Sequence, residues 1–251
     1  ETMRLQGSPE DDEFEVTATP AGQNLVLEGN AGEDTFRVTA GGLSSNIRIT
    51  GGEPISTTLG DTLFVTGTNV DLGSYLPGSQ THDGRVTANG HNIDFAGLEP
   101  VFAEGFGSFG FTTPRSRDII DIRAYSAPGG ATWTEISGTS GVVNTSFEVL
   151  RVRNLGTLSA SFSSQDFTPE APSNAFDPTD RITLHPNALS GDRVDRLLLQ
   201  MGFGSDVLMD QTLEGSNATT TLERIFLSPV DHVVTGVAPR IEIGNLRAFD
   251  A

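Results

Sequence analysis

Hydrophobic and polar residues alternate in short runs along the chain, and each run ends near a residue that favours a turn. Such runs cover Phe14–Thr17, Asn46–Thr50 and Thr62–Thr66. Alternation with a period of two is typical of a strand with one buried face, and Gly, Pro, Asn or Ser at its ends favours tight turns. Further strands are predicted at Ile119–Arg123, Phe147–Arg153, Arg181–Leu184, Ile225–Leu227 and Arg240–Ile243. The pattern therefore predicts an all-β protein.

One segment is compatible with a helix. Asp192–Met201 contains three consecutive leucines, and this apolar run fits a buried strand as well as one face of a helix. We favour a strand there.

A repeat of 22 residues organises the first part of the chain. Three triplets recur at that interval: Leu5-Gln6-Gly7, Leu27-Glu28-Gly29 and Ile49-Thr50-Gly51. The same interval separates Asp12 from Asp34, Phe14 from Phe36 and Val16 from Val38. An insertion around Pro54 delays the third copy, which begins at Asp61, by five residues. A unit this short cannot bury its own apolar face and is stabilised by stacking on its neighbours.

The repeat predicts a parallel β-solenoid, or β-helix, with irregular rungs. In that fold Phe14, Phe36 and Leu63 stack in one interior column. Tandem Ig-like β-sandwiches are the alternative fold, because both architectures use many short strands joined by turns.

Two segments favour breaks in this organisation. Gly105–Phe111 is rich in glycine and phenylalanine and fits a linker or a strand that contacts a neighbouring molecule. Thr168–Thr179 contains three prolines and fits a loop or a boundary. We predict a repeat-bearing region at 1–110, an irregular β region at 111–175, and a C-terminal β region with a second Gly/Asp turn at 176–251.

The composition excludes several kinds of chemistry. The 251 residues include no Cys and no Lys, so disulfides, thiolate metal sites and lysine Schiff bases are absent. A formal net charge of −18 disfavours nucleic acid and anionic lipid as partners and attracts cations, although it is also typical of plain solubility or a salty medium. No apolar run is long enough to insert into a membrane. The chain begins at Glu1, which favours either removal of a signal peptide or a fragment of a longer protein.

Glycine and aspartate in the turns of the repeat suggest a metal site. Gly29–Arg37 fits the calcium β-roll pattern G-G-x-G-x-D-x-U-x at all but its second position, Gly202–Leu208 fits its shorter core, and Gly7–Phe14 is a degenerate copy. Calcium binds six to eight oxygens, which stacked turns together provide. The candidate calcium ligands are Asp11, Asp12, Asn30, Gly32, Asp34, Gly204 and Asp206. A plain turn capped by Asp is the alternative at each copy.

Three phrases support a resemblance to known proteins: GNAGEDTFRV at 29–38, ITGGEPISTTLGDTLFVTGT at 49–68 and NIDFAGLEPVF at 92–102. They resemble repeats of large secreted surface proteins of planctomycetes and related bacteria, which in turn resemble RTX-like (hemolysin-type) calcium-binding β-roll adhesins. The resemblance covers residues 5–102. It implies a right-handed β-solenoid, secretion and a surface, matrix or adhesive role, and it carries over no catalytic residue.

The chain lacks the common catalytic motifs. Its four histidines are far apart, and it has neither a G-x-S-x-G turn nor a phosphate-binding glycine loop. The best acidic cluster combines Asp118 and Asp121 with three arginines, Arg115, Arg117 and Arg123. It supports the alternative of a β-helical carbohydrate-active enzyme or a tailspike-like glycan-binding protein, but an ion-paired strand edge accounts for it more simply.

We therefore expect a non-enzymatic structural or adhesive protein, secreted or on the cell surface. Exposed strand edges at the ends of a solenoid favour stacking into a fibre or layer. The expected partners are copies of the chain itself and surface glycans, and the expected cofactor is Ca²⁺.

Overall fold

The computed structural model shows an all-β protein, as the alternation pattern predicts. It describes residues 1–53, 60–113, 118–141, 145–161, 181–185, 187–189, 193–194, 197–200, 207–210 and 233–235. Within these ranges the regular structure is strand, apart from one 3₁₀ turn at Ala40–Gly42. No helix in the described residues has the length and hydropathy needed to cross a membrane.

The described strands form two mixed sheets. Sheet A contains β1 (Thr2–Gln6), β3 (Asn24–Ala31), β5 (Ile47–Glu53), β7 (Leu72–Pro77), β8 (Gly84–Ala88), β9 (His91–Ala96), β11 (Ser108–Thr112), β16 (Thr157–Ser161) and β18 (Leu197–Gln200). Sheet B contains β2 (Glu13–Val16), β4 (Thr35–Thr39), β6 (Thr62–Thr66), β10 (Val101–Glu104), β12 (Asp118–Ser126), β13 (Thr132–Ser140), β14 (Thr145–Ser146), β15 (Leu150–Arg153), β17 (Arg181–Leu184), β19 (Val207–Asp210) and β20 (Val233–Thr235).

The first six strands alternate between the two sheets. Sheet A runs β1-β3-β5-β9-β8-β7-β11-β16-β18, and sheet B runs β2-β4-β6-β10-β15-β13-β12-β17-β19-β20, with β14 beside β13. Most neighbours are parallel, whereas β8 and β13 pair antiparallel with the strands on both sides of them. The antiparallel strands β8 and β13 thus interrupt an otherwise parallel arrangement.

The predicted 22-residue register is confirmed. Leu5 pairs with Leu27 across β1 and β3, and Phe14 pairs with Phe36 across β2 and β4. Phe36 in turn pairs with Leu63 on β6, as predicted, in spite of the insertion around Pro54. Side chains in register on parallel strands lie on the same face, so these residues form columns.

One buried apolar cluster includes residues from both sheets. Phe36, Leu63 and Leu27 are fully buried in it, and Phe14 packs against it at the first unit. Because alternate residues of each strand face inward, the burial pattern of β4 is strictly alternating. The alternation of apolar and polar residues in the sequence therefore reflects which side chains face this core.

The linker interpretation of Gly105–Phe111 is wrong. Phe106, Phe109 and Phe111 are fully buried, and β11 pairs with β7 on one side and β16 on the other. β11 also lies across the boundary drawn at residue 110, while the division into three regions itself stays a prediction. On the adjacent strand β7, an added Cβ at Gly73 would overlap the Phe109 ring, so that glycine makes room for the buried phenylalanine.

Several other predicted strands and loops can be compared with the structure. Leu197–Gln200, inside the segment with helix or strand character, is a strand. The strand predicted at Phe147–Arg153 begins only at Leu150, and Phe147 lies buried just before it. Three predicted features lie outside the described residues: Ile225–Leu227, Arg240–Ile243 and the loop at Thr168–Thr179.

Candidate functional site: a column of carboxylates

Acidic side chains form a column where the chain enters the strands of sheet B. We call it the carboxylate column, and its members are Asp12, Asp34, Asp61, Glu99 and Glu148. The residue directly after each of the three aspartates pairs with its counterpart on the adjacent strand of sheet B. The residue two positions after each of Asp61, Glu99 and Glu148 does the same. Neighbouring strands lie about 4.8 Å apart, so the register brings like charges close together.

Hydrogen bonds between successive units hold the three aspartates. The backbone N–H of Asp12 donates to Asp34 Oδ1 at 2.8 Å, and the backbone N–H of Asp34 donates to Asp61 Oδ1 at 2.7 Å. The second oxygen of Asp34, Oδ2, is buried and accepts no hydrogen bond within the described structure. The Asp34 and Asp61 carboxylates thus link their own units to the preceding ones.

A matching set of glycines makes room for these carboxylates. A Cβ added at Gly7 would lie 2.6 Å from Asp12 Oδ2, and one at Gly29 or Gly51 would overlap Asp34 Oδ2 or Asp61 Oδ2. The same added Cβ at Gly29 would lie 2.6 Å from the Gly51 carbonyl oxygen. The glycine that ends each Leu/Ile-x-Gly triplet therefore allows close approach of backbone and carboxylate.

Burial raises the pKa values of four carboxyl groups of the column. It raises the pKa of Asp61 to about 6, with the charges of Asp34 and Glu99 adding to the rise. It raises the pKa of Glu148 to about 7, although the hydrogen bond with His82 opposes the effect. Burial also raises the pKa values of Asp34 and Glu99. These groups hold protons more strongly than exposed carboxyls, because the interior disfavours their charged forms.

The predicted ligands of the first two units come together, but as hydrogen-bonding groups. Asp11 Oδ1 accepts from the backbone N–H of Glu33 at 2.8 Å, and Asp12 Oδ2 accepts from that of Ser8 at 2.5 Å. Asn30, with a positive φ of 85°, donates from Nδ2 to the Gly7 carbonyl oxygen at 2.7 Å.

Gly32 lies at the same corner, with φ 113°, and an added Cβ there would lie 2.6 Å from the backbone of Glu10. Among the residues with described positions, no group of three or more His, Asp or Glu has an arrangement suited to a metal ion. The geometry is that of the Asp-capped turn, and calcium at this corner stays a prediction. The second predicted turn, with Gly204 and Asp206, lies outside the described residues.

The sequence patterns did not identify the far end of the column. There His82, in the loop between β7 and β8, has its Nδ1 atom 2.7 Å from Glu99 Oε1 and 2.9 Å from Glu148 Oε2. A signal exists in hindsight, because Leu98-Glu99-Pro100-Val101 and Phe147-Glu148-Val149-Leu150 share an apolar-Glu-x-apolar pattern. No sequence pattern points to His82.

The structure separates the acidic cluster around Asp118 and Asp121. Asp118 is fully buried and accepts a hydrogen bond from Thr113 Oγ1 at 2.6 Å. Asp121 lies on the opposite face of β12 and contacts His185 Nε2 at 2.8 Å, while Arg123 binds Glu135. Arg115 and Arg117 lie outside the described residues. The two aspartates therefore do not form a carboxylate pair, and the absence of enzymatic activity stays a prediction.

Arginine and aromatic side chains pack on the outer face of sheet B. The Phe64 and Phe102 rings stack with centroids 4.4 Å apart, and the Arg151 guanidinium carbon lies 3.6 Å from the Tyr125 ring centroid. Glu135 is buried between β12 and β15 and binds both Arg123 and Arg151. Most of the charge on this face is paired.

Comparison with known proteins identifies no relative. No protein-family model, curated protein or solved structure matches the chain. The resemblance to secreted surface repeats and the extracellular location therefore stay predictions.

Proposed function

We propose that this chain is an extracellular structural or adhesive surface protein, built as a right-handed β-solenoid, that assembles end to end with copies of itself. The observation that carries the proposal is the open end formed by β1 and β2. Among the described strands, β1 pairs only with β3 and β2 pairs only with β4. Unpaired strand edges of this kind accept a further strand.

Apolar side chains are exposed at the open end. Met3 and Leu5 are 46% and 47% exposed, whereas their register partners Leu25 and Leu27 are 6% and 0% exposed. The difference arises because the partners have a strand on both sides and β1 has one on a single side. Among the described residues, β1 and β2 thus present the apolar layer that each following unit covers with its neighbour.

A shallow cavity between the sheets adds to this surface. Its lining includes Met3, Leu5, Val16, Pro20 and Leu25. A second copy that covered the cavity with its own apolar layer would bury surface now in contact with water, which favours association.

A head-to-tail contact is supported by the pairing within the chain, where β18 and β20 continue the two sheets in parallel. A contact between two different ends is heterologous and does not close on itself, so it yields a fibre or, with lateral contacts, a layer. The Ile49, Leu27 and Leu5 column shows that such parallel layers fit one another.

Calcium and the adhesive role belong to the same proposal. A net charge of −18 opposes association of copies, and a divalent cation near the carboxylate column relieves repulsion once its carboxyls ionise. Adhesion to surface glycans is supported by the resemblance of residues 5–102 to adhesin repeats.

Sedimentation velocity over a range of protein concentrations, with electron microscopy of the most concentrated sample, tests the proposal. The wild-type chain is expected to form elongated assemblies, and Leu5→Lys is expected to abolish them by placing a charge at the open end. Leu72→Lys is the matched control, because Leu72 is 64% exposed on β7, away from that end. A wild-type chain that stays monomeric, or assembly that survives Leu5→Lys, would overturn the proposal.

A further inference from the structure

The loop between β7 and β8 is attached to the corner segments that lead into β10 and β15. The carbonyl oxygen of His82 accepts a hydrogen bond of 3.1 Å from the backbone N–H of Leu98. Thr81 Oγ1 donates to the carbonyl oxygen of Ser146 at 3.2 Å. Both contacts hold the loop over the carboxylate column, where His82 adopts a positive φ of 70°.

The His82 ring lies between two carboxyl groups that belong to different units. Its Nδ1 atom is hydrogen-bonded to Glu148 Oε2 at 2.9 Å. Glu99 Oε1 is only 2.7 Å from the same nitrogen, yet it is buried and has no hydrogen-bond partner among the described residues. The two carboxyl side chains are 12% and 5% exposed, so water cannot readily compensate either group.

The number of protons shared by His82, Glu99 and Glu148 decides whether both buried carboxyl groups have a hydrogen-bond donor. A single Nδ1 nitrogen carries at most one hydrogen, and two carboxyl groups lie within reach of it. When both carboxyls are ionised, one donor serves two buried anions that repel each other. A proton on either carboxyl removes the repulsion and supplies a second donor.

Other ionisable groups surround the junction. Asp61 lies one unit away in the column, and its backbone carbonyl oxygen accepts from the Glu99 N–H at 2.5 Å. Tyr75, on β7, donates from its hydroxyl to the backbone carbonyl oxygen of Glu148 at 3.0 Å. Asp83 follows His82 in the same loop. Burial raises the pKa of Asp61 to about 6, so Asp61 adds negative charge as the pH rises, which acts in the same direction as ionisation of Glu99 and Glu148.

We propose that His82, Glu99 and Glu148 form a pH-sensitive lock that fastens the β7–β8 hairpin to the carboxylate column. The lock is closed in mildly acidic medium, where the junction retains a carboxyl proton, and it loosens in alkaline medium, where both carboxyls are ionised. The raised pKa values of Glu99 and Glu148 support this direction. The lock is independent of the proposed assembly, since all its groups lie in one chain.

Hydrogen–deuterium exchange of the full chain at pH 5.5 and pH 8.5 tests the lock, with rates corrected for the intrinsic effect of pH. The sample is diluted until sedimentation shows monomer, so that failure of the lock and failure of assembly are distinguishable. Protection of residues 78–83 and 145–149 is expected to fall about tenfold at pH 8.5, which corresponds to one pKa unit of coupling. Protection of Thr157–Ser161, in β16 of sheet A and away from the carboxylate column, is the internal reference.

Glu148→Gln is expected to remove the pH-dependent loss of protection, because the amide keeps the shape of the side chain and does not ionise. Glu99→Gln gives the same test if the first variant fails to fold. His185→Gln is the matched control, because it removes an exposed histidine–carboxylate contact with Asp121 and should leave the loss unchanged. Equal wild-type protection at the two pH values would overturn the lock, and so would a full loss of protection in both glutamine variants.

Discussion

Asp34 Oδ1 accepts a hydrogen bond of 2.8 Å from the backbone N–H of Asp12, which lies 22 residues earlier in the chain. Asp61 repeats this bond with the N–H of Asp34, although 27 residues separate them. The carboxylates are therefore part of the connection between units as well as a source of charge. Because burial and mutual proximity oppose their ionisation, the connection responds to pH, to cations and to changes in the surrounding glycines.

The free energy of unfolding is expected to decrease as the pH rises from about 4 to about 8. The folded-state pKa of Asp61 is raised to about 6 and that of Glu148 to about 7, and those of Asp34 and Glu99 are also raised. A raised folded-state pKa means that the folded chain binds more protons, so the stabilisation is present below the unfolded pKa and is lost through the folded one. Urea unfolding at several pH values measures this decrease in the free energy of unfolding.

Asp61→Asn is expected to reduce this pH dependence by about 1–3 kcal/mol between pH 4 and pH 8. The amide oxygen still accepts the hydrogen bond from the Asp34 N–H, but the side chain no longer ionises. Asp94→Asn is the control, since Asp94 is 44% exposed and paired with Arg85 outside the column. Stability that rises over this pH range in the wild-type chain, or a pH dependence identical in both variants, would contradict the expectation.

Calcium is expected to raise the Tm at pH 8 and to leave it nearly unchanged at pH 5. At the higher pH the column carries ionised carboxyls whose repulsion a divalent cation relieves, whereas at the lower pH protons do so. Thermal unfolding with calcium, or with EDTA, measures both shifts. Asp34→Asn should diminish the calcium effect. An identical Tm with calcium and with EDTA at pH 8 would remove calcium from the proposal.

Gly29→Ala is expected to lower the free energy of unfolding by about 2–4 kcal/mol. The added Cβ overlaps Asp34 Oδ2 and lies 2.6 Å from the Gly51 carbonyl oxygen, so the units must separate. Gly41→Ala is the control, because the nearest atom to its added Cβ, Asp71 Oδ2, is 3.9 Å away. Urea unfolding of both variants measures the difference, and equal stability would show that the units tolerate a wider spacing.

Glu135→Gln is expected to destabilise the outer face of sheet B by about 1–3 kcal/mol. The glutamate side chain is 3% exposed and binds both Arg123 and Arg151, so the amide leaves two cations without their carboxylate. Glu13→Gln breaks an exposed pair with Arg37 and should change stability by less than about 1 kcal/mol. Chemical unfolding distinguishes the two, and a similar small effect of both would refute the role given to Glu135.

Much of the fold could be predicted from the positions of apolar residues. A shift of one residue would turn every side chain of a strand to the opposite face, so Phe14, Phe36 and Leu63 determine how β2, β4 and β6 align. The turns that contain aspartate and glycine could also be predicted from the sequence, but whether they bind calcium or only cap the turn could not. A motif of Asp, Asn and Gly fits a calcium site and a capped turn equally, and only the hydrogen bonds that the Asp12 and Asp34 carboxylates accept from backbone amides distinguish the observed geometry.

The sequence by itself determined the alternating strands and the 22-residue register, because both follow from local periodicity and from a short repeat. Tertiary structure alone decided that Gly105–Phe111 contributes buried side chains to the core and a strand within sheet A. It also decided that His82 contacts Glu99 and Glu148. Those three residues are separated by 17 and 49 positions in a part of the chain where inserted hairpins have replaced the regular repeat. No local pattern encodes such a meeting, because it depends on the pairing of strands distant in sequence.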